Sequence, residues 1–288
     1  MSAPREATGA GRRTARALLV QPRSAVALTL VSLVGVVAFG WPLLADPDSS
    51  LAHTHDAPLL FALLMILLLG VMLAEIAEGG IDAKAIALLG VLTAVGAALR
   101  PLGSGITGFS PVFLLIILGG RVLGRGFGFV LGALTLFTSA LISGGVGPWL
   151  PFQMLGAAWV GFGAGCLPRA SGRREVALVA AYGGFAGIAF GFVLNLWFWP
   201  YLTGISTQLS YVPGASAAEN LQNFWAYCLA TSLGFDLPRA VGNVVLVLAV
   251  GGPLMRALRR ASRKAAFDAA PVFEPADAPT PAKAVTGG

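Results

Sequence analysis

Charge is scarce in this chain. Only 11% of its 288 residues are Asp, Glu, Lys or Arg, against about 25% in soluble domains. Histidine is scarcer: the two present, His53 and His55, share one loop. A Ser-His protease or a membrane metalloprotease needs an imidazole inside its helix bundle, so this placement argues against intramembrane hydrolysis. Neither a GxxxxGK[ST] loop for ATP nor an HExxH zinc motif occurs. The run His53-Thr54-His55-Asp56 has ligand types that suit a divalent metal, but it reads better as a solvated loop. No catalytic set assembles, so an enzyme is not expected and no metal or cofactor is implied.

Apolar residues, by contrast, make up 56% of the chain. Several runs approach the ~20 residues that cross a bilayer, which predicts an all-α polytopic membrane protein. Eight spans are read: Val26–Leu44, Ala57–Ala74, Ala83–Leu99, Ser110–Gly120, Gly126–Ile142, Pro151–Leu167, Val176–Trp199 and Pro238–Leu258. The apolar stretch Phe224–Phe235 is too short to cross and is expected as an outer surface helix or a re-entrant piece. With the N-terminus in the cytoplasm, 17 of the 19 basic residues fall on the cytoplasmic side, and only Arg100 and Arg239 on the outer side. The positive-inside rule predicts this bias, so the net charge of +6 reads as topology and not as a nucleic-acid surface. Both termini are then cytoplasmic. Cys166 and Cys228 lie near opposite faces, too far apart for a disulfide, and are read as small packing residues.

The organisation follows: a basic N-terminus over 1–25, two transmembrane helices over 26–80, a six-helix core over 81–262 and a disordered tail over 263–288. The Arg-rich start resembles a signal-peptide n-region, but Trp41-Pro42-Leu43-Leu44-Ala45-Asp46 offers no good cleavage site, so it is kept as an anchor.

Polar groups inside a membrane usually mark a site or a pathway. Arg100, Trp149, Gln153, Asn195, Trp199, Asp236, Arg239 and Asn243 converge on the outer side and are the candidate substrate-binding residues. Each also has a structural reading. The tryptophans suit an interfacial belt. Asp236 and Arg239 suit an ion pair, or a helix start with Pro238 at its first position. The amides suit interhelical hydrogen bonds. No ionisable residue is read at mid-span, which argues against proton- or sodium-coupled transport. Small residues form a second theme. Ala83, Ala87, Ala94 and Ala98 line the third span, and Gly183, Gly187 and Gly191 recur every four on the seventh. Such faces let helix backbones approach closely. Gly128, Gly132, Gly161 and Gly165 are given the same role, whereas Gly120 and Gly124 are assigned to a turn.

Three segments carry a family resemblance. Asp82–Leu102 is DAKAIALLGVLTAVGAALRPL, Gly119–Gly165 contains GGVGPWLPFQM, and Asp236–Arg260 is DLPRAVGNVVLVLAVGGPLMRALRR. Together they resemble the substrate-binding S component of energy-coupling factor (ECF) transporters, of the actinobacterial type, preceded here by two extra spans. The resemblance implies high-affinity capture of a vitamin or related micronutrient from outside. Its pocket would involve Arg100–Phe109 and the regions around Gln153, Asn195 and Asn243. It also implies that Ala83 and Ala87, then Ala94 and Ala98, meet a transmembrane coupling (T) subunit. Two ABC ATPases on separate chains would supply the energy, and the S component would tilt in the plasma membrane. The sparse charge suits a ring-bearing, modestly charged vitamin. A stand-alone secondary transporter and a ligand-free membrane scaffold are the alternative readings.

Overall fold

The computed structural model describes residues 22–44, 57–78, 83–103, 107–202 and 208–265. All regular structure among them is helical. Hydrocarbon demands this, because a helix bonds its own amides where no water can. The fold is that of an all-α polytopic membrane protein. In order, the helices are α1 (Pro22–Leu44), α2 (Ala57–Glu78), α3 (Ala83–Leu102), α4 (Val112–Leu123), α5 (Arg125–Ser143), α6 (Leu150–Cys166) and α7 (Gly172–Phe198), followed by α8 (Ala217–Tyr227), α9 (Leu233–Leu246) and α10 (Gly252–Ala265).

Among the described residues, five helical runs are long and apolar enough to cross a membrane: Ala25–Leu44, Lys84–Leu102, Arg125–Ser143, Gly172–Tyr201 and Ala217–Arg263. α4 is shorter, with 12 residues, or about 18 Å at 1.5 Å per residue. It tolerates its length because it is the central helix, with every residue from Val112 to Gly120 buried.

Glycine explains how α4, α5 and α6 pack so closely. A Cβ on Gly120 or Gly128 would strike the carbonyl of Gly161, and one on Gly132 would strike that of Ala157. Backbones therefore touch directly, as small-residue faces allow in lipid. Gly120 corrects the sequence reading: it sits inside α4, not in the turn. Gly124 is the turn residue, with φ 106°, a conformation glycine adopts at little cost.

The two extra helices dock on α6 and α7. Gly35 makes room for Leu155 and Trp159, Phe39 meets Phe152 edge-on at 5.1 Å, and Trp159 Nε1 donates to Ser32 Oγ at 3.1 Å. α3 packs instead on α4 and α5, where Gly96 faces the Thr135 methyl.

The C-terminal part overturns an expectation. Wide π-type turns at Cys228–Ser232 and Val247–Gly251 join α8, α9 and α10 without a break. The resulting rod, Ala217–Arg263, has 47 residues and a length of about 70 Å. Phe224–Phe235 is therefore neither a surface helix nor re-entrant. Pro238 lies inside α9 and does not start it. The reason is packing on α7, which α9 and both wide turns contact. An exposed apolar stripe of Leu221, Trp225, Leu229, Leu233, Leu237, Val241 and Val245 continues through Pro238 at helical spacing. The second wide turn accommodates Pro253, which has no amide for the carbonyl of Ala249.

One end of the bundle gathers arginines. Arg121 of α4, the α6–α7 connection, and Glu175 and Arg259 of α7 and α10 meet there. The opposite end carries Arg100 and the α5–α6 loop.

Candidate functional site

α3 delivers Arg100 in its last turn, and α6 opens on Leu150 and Pro151. Proline's fixed φ suits a helix start, which places Gln153 in the first turn. Arg100 Nη2 donates to Gln153 Oε1 at 2.8 Å. Its Nη1 is buried and has no partner among the described residues. Thr93 of α3 and Thr135 and Ser139 of α5 are also buried, and their hydroxyls are unpartnered. A buried donor without an acceptor costs ~1–3 kcal/mol, and a charged one more. Among the described residues no acid forms an ion pair with Arg100. Between Ala83 and Arg260 the sequence holds only Glu175, Glu219 and Asp236. Glu175 is held by Arg121 and Arg259, and Asp236 by Arg239. Glu219 stands exposed in the first turn of α8.

A second polar group runs along α7 and the antiparallel rod. Asn195 Nδ2 donates to Ser232 Oγ at 2.6 Å and lies 3.7 Å from Cys228 Sγ. One turn along, Gly191 leaves space that the Asp236 carboxylate fills. Arg239 Nη1 donates to Asp236 Oδ1 at 2.6 Å and to the Gly187 carbonyl at 3.1 Å. Asn243 Nδ2 donates to the Gly183 carbonyl at 3.0 Å, while its Oδ1 is buried without a partner. The glycines of α7 thus answer the polar residues of the rod turn by turn. Gly187 lies midway along the apolar run Gly172–Tyr201, so the Asp236–Arg239 pair stands at the middle of α7. The expectation of no ionisable group at mid-span fails here. Continuing the rod through Pro238 moves Asp236 from a helix start to a helix interior.

Aromatic pairs pack on helices that carry these groups. Phe152 stacks on Trp197 at 4.3 Å with a 3° interplanar angle. Phe113 meets Phe190 edge-on at 4.8 Å, and the Arg239 guanidinium sits 5.5 Å from the Phe190 centroid. The loop after α3 closes onto the rod. Gly108, at φ 75°, abuts the Phe235 carbonyl, and the Phe109 ring packs on Gly242.

The eight nominated residues therefore do not form one cluster. Arg100 and Gln153 make one contact, and Asn195, Asp236, Arg239 and Asn243 line another seam. Trp199 is fully buried with Phe224 and Tyr227, and its Nε1 donates to the Leu209 carbonyl at 2.6 Å. Trp149 is 44% exposed, and its indole Nε1 donates within its own loop, to the Gly145 carbonyl. Sequence reasoning missed Phe113, Phe190 and Ser232, and had Phe109 only as the end of the loop Arg100–Phe109. Apolar and hydroxyl side chains in a membrane sequence carry no signal of which neighbour they face.

On α3, Ala87, Ala94 and Ala98 are all exposed on a smooth strip with Gly90; Ala83 opens the helix. Cys166 is exposed and Cys228 buried, both as free thiols. His53, His55 and Asp56 lie outside the described residues. Among those described, no group of three His, Cys, Asp or Glu residues stands close enough to hold a metal.

No protein of curated function and no solved structure matches this chain. The family model of the ECF transporter substrate-specific component does, over residues 84–251, from the first turn of α3 to the second wide turn of the rod. That stretch is more than half of the chain and holds every polar contact described above except those that reach α1 and α10. The chain belongs to the substrate-specific components of ECF transporters, multi-pass membrane proteins that bind substrate for import and work with a T subunit and ATPases.

Proposed function

We propose that this protein captures a ring-bearing vitamin or related micronutrient carrying an anionic group, at the end opposite the arginine cluster. That end faces outside, and both termini are cytoplasmic. The observation that carries the reading is Arg100, a partly buried guanidinium whose one side-chain partner is the neutral Gln153 amide and whose Nη1 has no acceptor. A carboxylate or phosphate on the ligand would satisfy it bidentately. The Phe152–Trp197 stack, at the first turn of α6 that also carries Gln153, supplies aromatic surface for the ring. The core over 81–262 binds, and the helices over 26–80 brace α6 and α7 without covering α3. Ala83, Ala87, Ala94 and Ala98 then present the face for the T subunit, and two ATPases drive the inward step.

Mass spectrometry of small molecules extracted from purified protein, with a thermal-shift panel of vitamins, tests this. One anionic ring compound should co-purify and stabilise the protein. Arg100→Ala should weaken its affinity at least tenfold, and Gln153→Ala by roughly 5–150-fold, equivalent to ~1–3 kcal/mol. Trp149→Ala should change little. No bound compound and no shift across the panel would sink the proposal, as would full affinity in Arg100→Ala.

One observation favours a second reading, stand-alone secondary transport: the Asp236–Arg239 pair at mid-helix. The two charges satisfy each other, which suits structure better than proton coupling. Uptake that survives loss of the ATPases but stops when the proton gradient collapses would reverse that preference.

A further inference from the structure

The arginine-rich end holds a charged groove that vitamin capture leaves unused. Glu175, buried in the first turn of α7, accepts from Arg121 Nε at 2.8 Å and from Arg259 Nη2 at 2.5 Å. Arg121 Nη1 also reaches the carbonyls of Leu167 and Pro168. Two guanidinium groups on one carboxylate leave this cluster positive. A cavity of about 610 Å³ opens between α7 and α10, with the Glu175–Arg259 pair on its wall. Arg173 and Arg256 are on its wall, and Val176, Leu248 and Met255 supply its apolar lining. Neither Arg173 nor Arg256 belongs to an ion pair among the described residues. Gly252 lets the Arg256 guanidinium fold over the helix, with Nη1 3.7 Å from where a Cβ would stand. Leu248 is 56% exposed and continues the apolar stripe of the rod. The cavity is therefore cationic on one side and apolar on the other, and it opens where the membrane-facing stripe meets the arginine cluster.

We propose that this groove binds an anionic phospholipid. Its phosphate rests on Arg173 and Arg256, and an acyl chain lies along Val176 and Leu248. Basic pockets between membrane helices recognise lipid headgroups through the same combination of charge and apolar wall. A free phosphate would engage the arginines alone and leave the apolar lining without a role. Bound there, the lipid would bridge α7 and α10 next to the Glu175 clamp and hold the rod at the membrane surface.

Thermal unfolding of the purified full chain in detergent tests the site with three additives: phosphatidylglycerol, phosphatidylcholine and inorganic phosphate. Phosphatidylglycerol alone should raise the Tm, by several degrees. The rise should vanish in R173Q/R256Q and persist in R169Q/R260Q, which removes two exposed arginines outside the groove. A persistent rise in R173Q/R256Q would overturn the proposal. An equal rise with phosphatidylcholine would show binding indifferent to charge, and an equal rise with inorganic phosphate would show a free-anion site; either refutes it. Crosslinking of wild-type protein with a photoactivatable phosphatidylglycerol avoids any dependence on variant folding. Label should concentrate on peptides around 172–177 and 248–259, and label spread evenly over the helices would refute the site.

Discussion

Gly191 has no room for a methyl group, because the Asp236 carboxylate occupies the space a Cβ would need. Gly90, in contrast, faces open space on α3. The same substitution should therefore act in opposite directions. G191A should destabilise by about 1–3 kcal/mol through overpacking. G90A should stabilise by about 0.5–1 kcal/mol, because alanine is the better helix former. Thermal unfolding in detergent reads both, and equal effects would show that α7 and the rod are not in this register. The neighbouring ion pair gives a second residue-scale prediction. D236N leaves the half-buried Arg239 charge without its counter-charge and should destabilise by up to about 3–5 kcal/mol. D236N/R239M removes both charges and should recover much of the loss. Retained ligand affinity in the double variant would identify the pair as architecture; lost affinity in a folded double variant would place it in the binding site.

Among the elements, α3 carries two separate duties. Its last turn holds Arg100 against Gln153, while Ala87, Ala94 and Ala98 form an exposed strip. A94L/A98L should therefore leave vitamin affinity unchanged and abolish uptake by cells that express the coupling module. Loss of both would mean that the strip is part of the binding fold; loss of neither would remove it as the docking face. α8 to α10 show where element-level reading of a sequence fails. Pro238 satisfies a local rule for a helix start, and the apolar run before it is short. Local rules do not weigh the stripe from Leu221 to Val245, or the partner helix whose glycines receive Asp236 and Arg239. Tertiary packing outweighs the local preference, and the helix continues. α4 is the converse. Its 12 residues look too few for a span, yet being enclosed on all sides it never has to match the bilayer thickness.

For the whole molecule, the distribution of arginines and the exposure of the two thiols give a direct test of orientation. Cys166 is exposed at the arginine-rich end, while Cys228 is buried. A membrane-impermeant maleimide should label Cys166 in inverted vesicles and leave it unlabelled on intact cells. Labelling on intact cells would reverse the proposed orientation and place the Arg100 contact inside. The extra helices belong to this scale too. α1 and α2 pack on α6 and α7, away from α3, which leaves the face of α3 free for a partner.

Bilayer residence, helical class and membership of the transporter family were all legible in composition, apolar run lengths and a few phrases, because lipid imposes strong and local constraints on each residue. The polar residues worth attention were legible too, since any such residue in an apolar helix stands out. How they pair was not. Asn195 with Ser232, Gly191 with Asp236 and Gly183 with Asn243 are set by the antiparallel register of two helices far apart in sequence. Arg100 meets Gln153 only because α3 and α6 come together at one end. Such contacts depend on distances between helices, and no residue's own chemistry records the helix it will face.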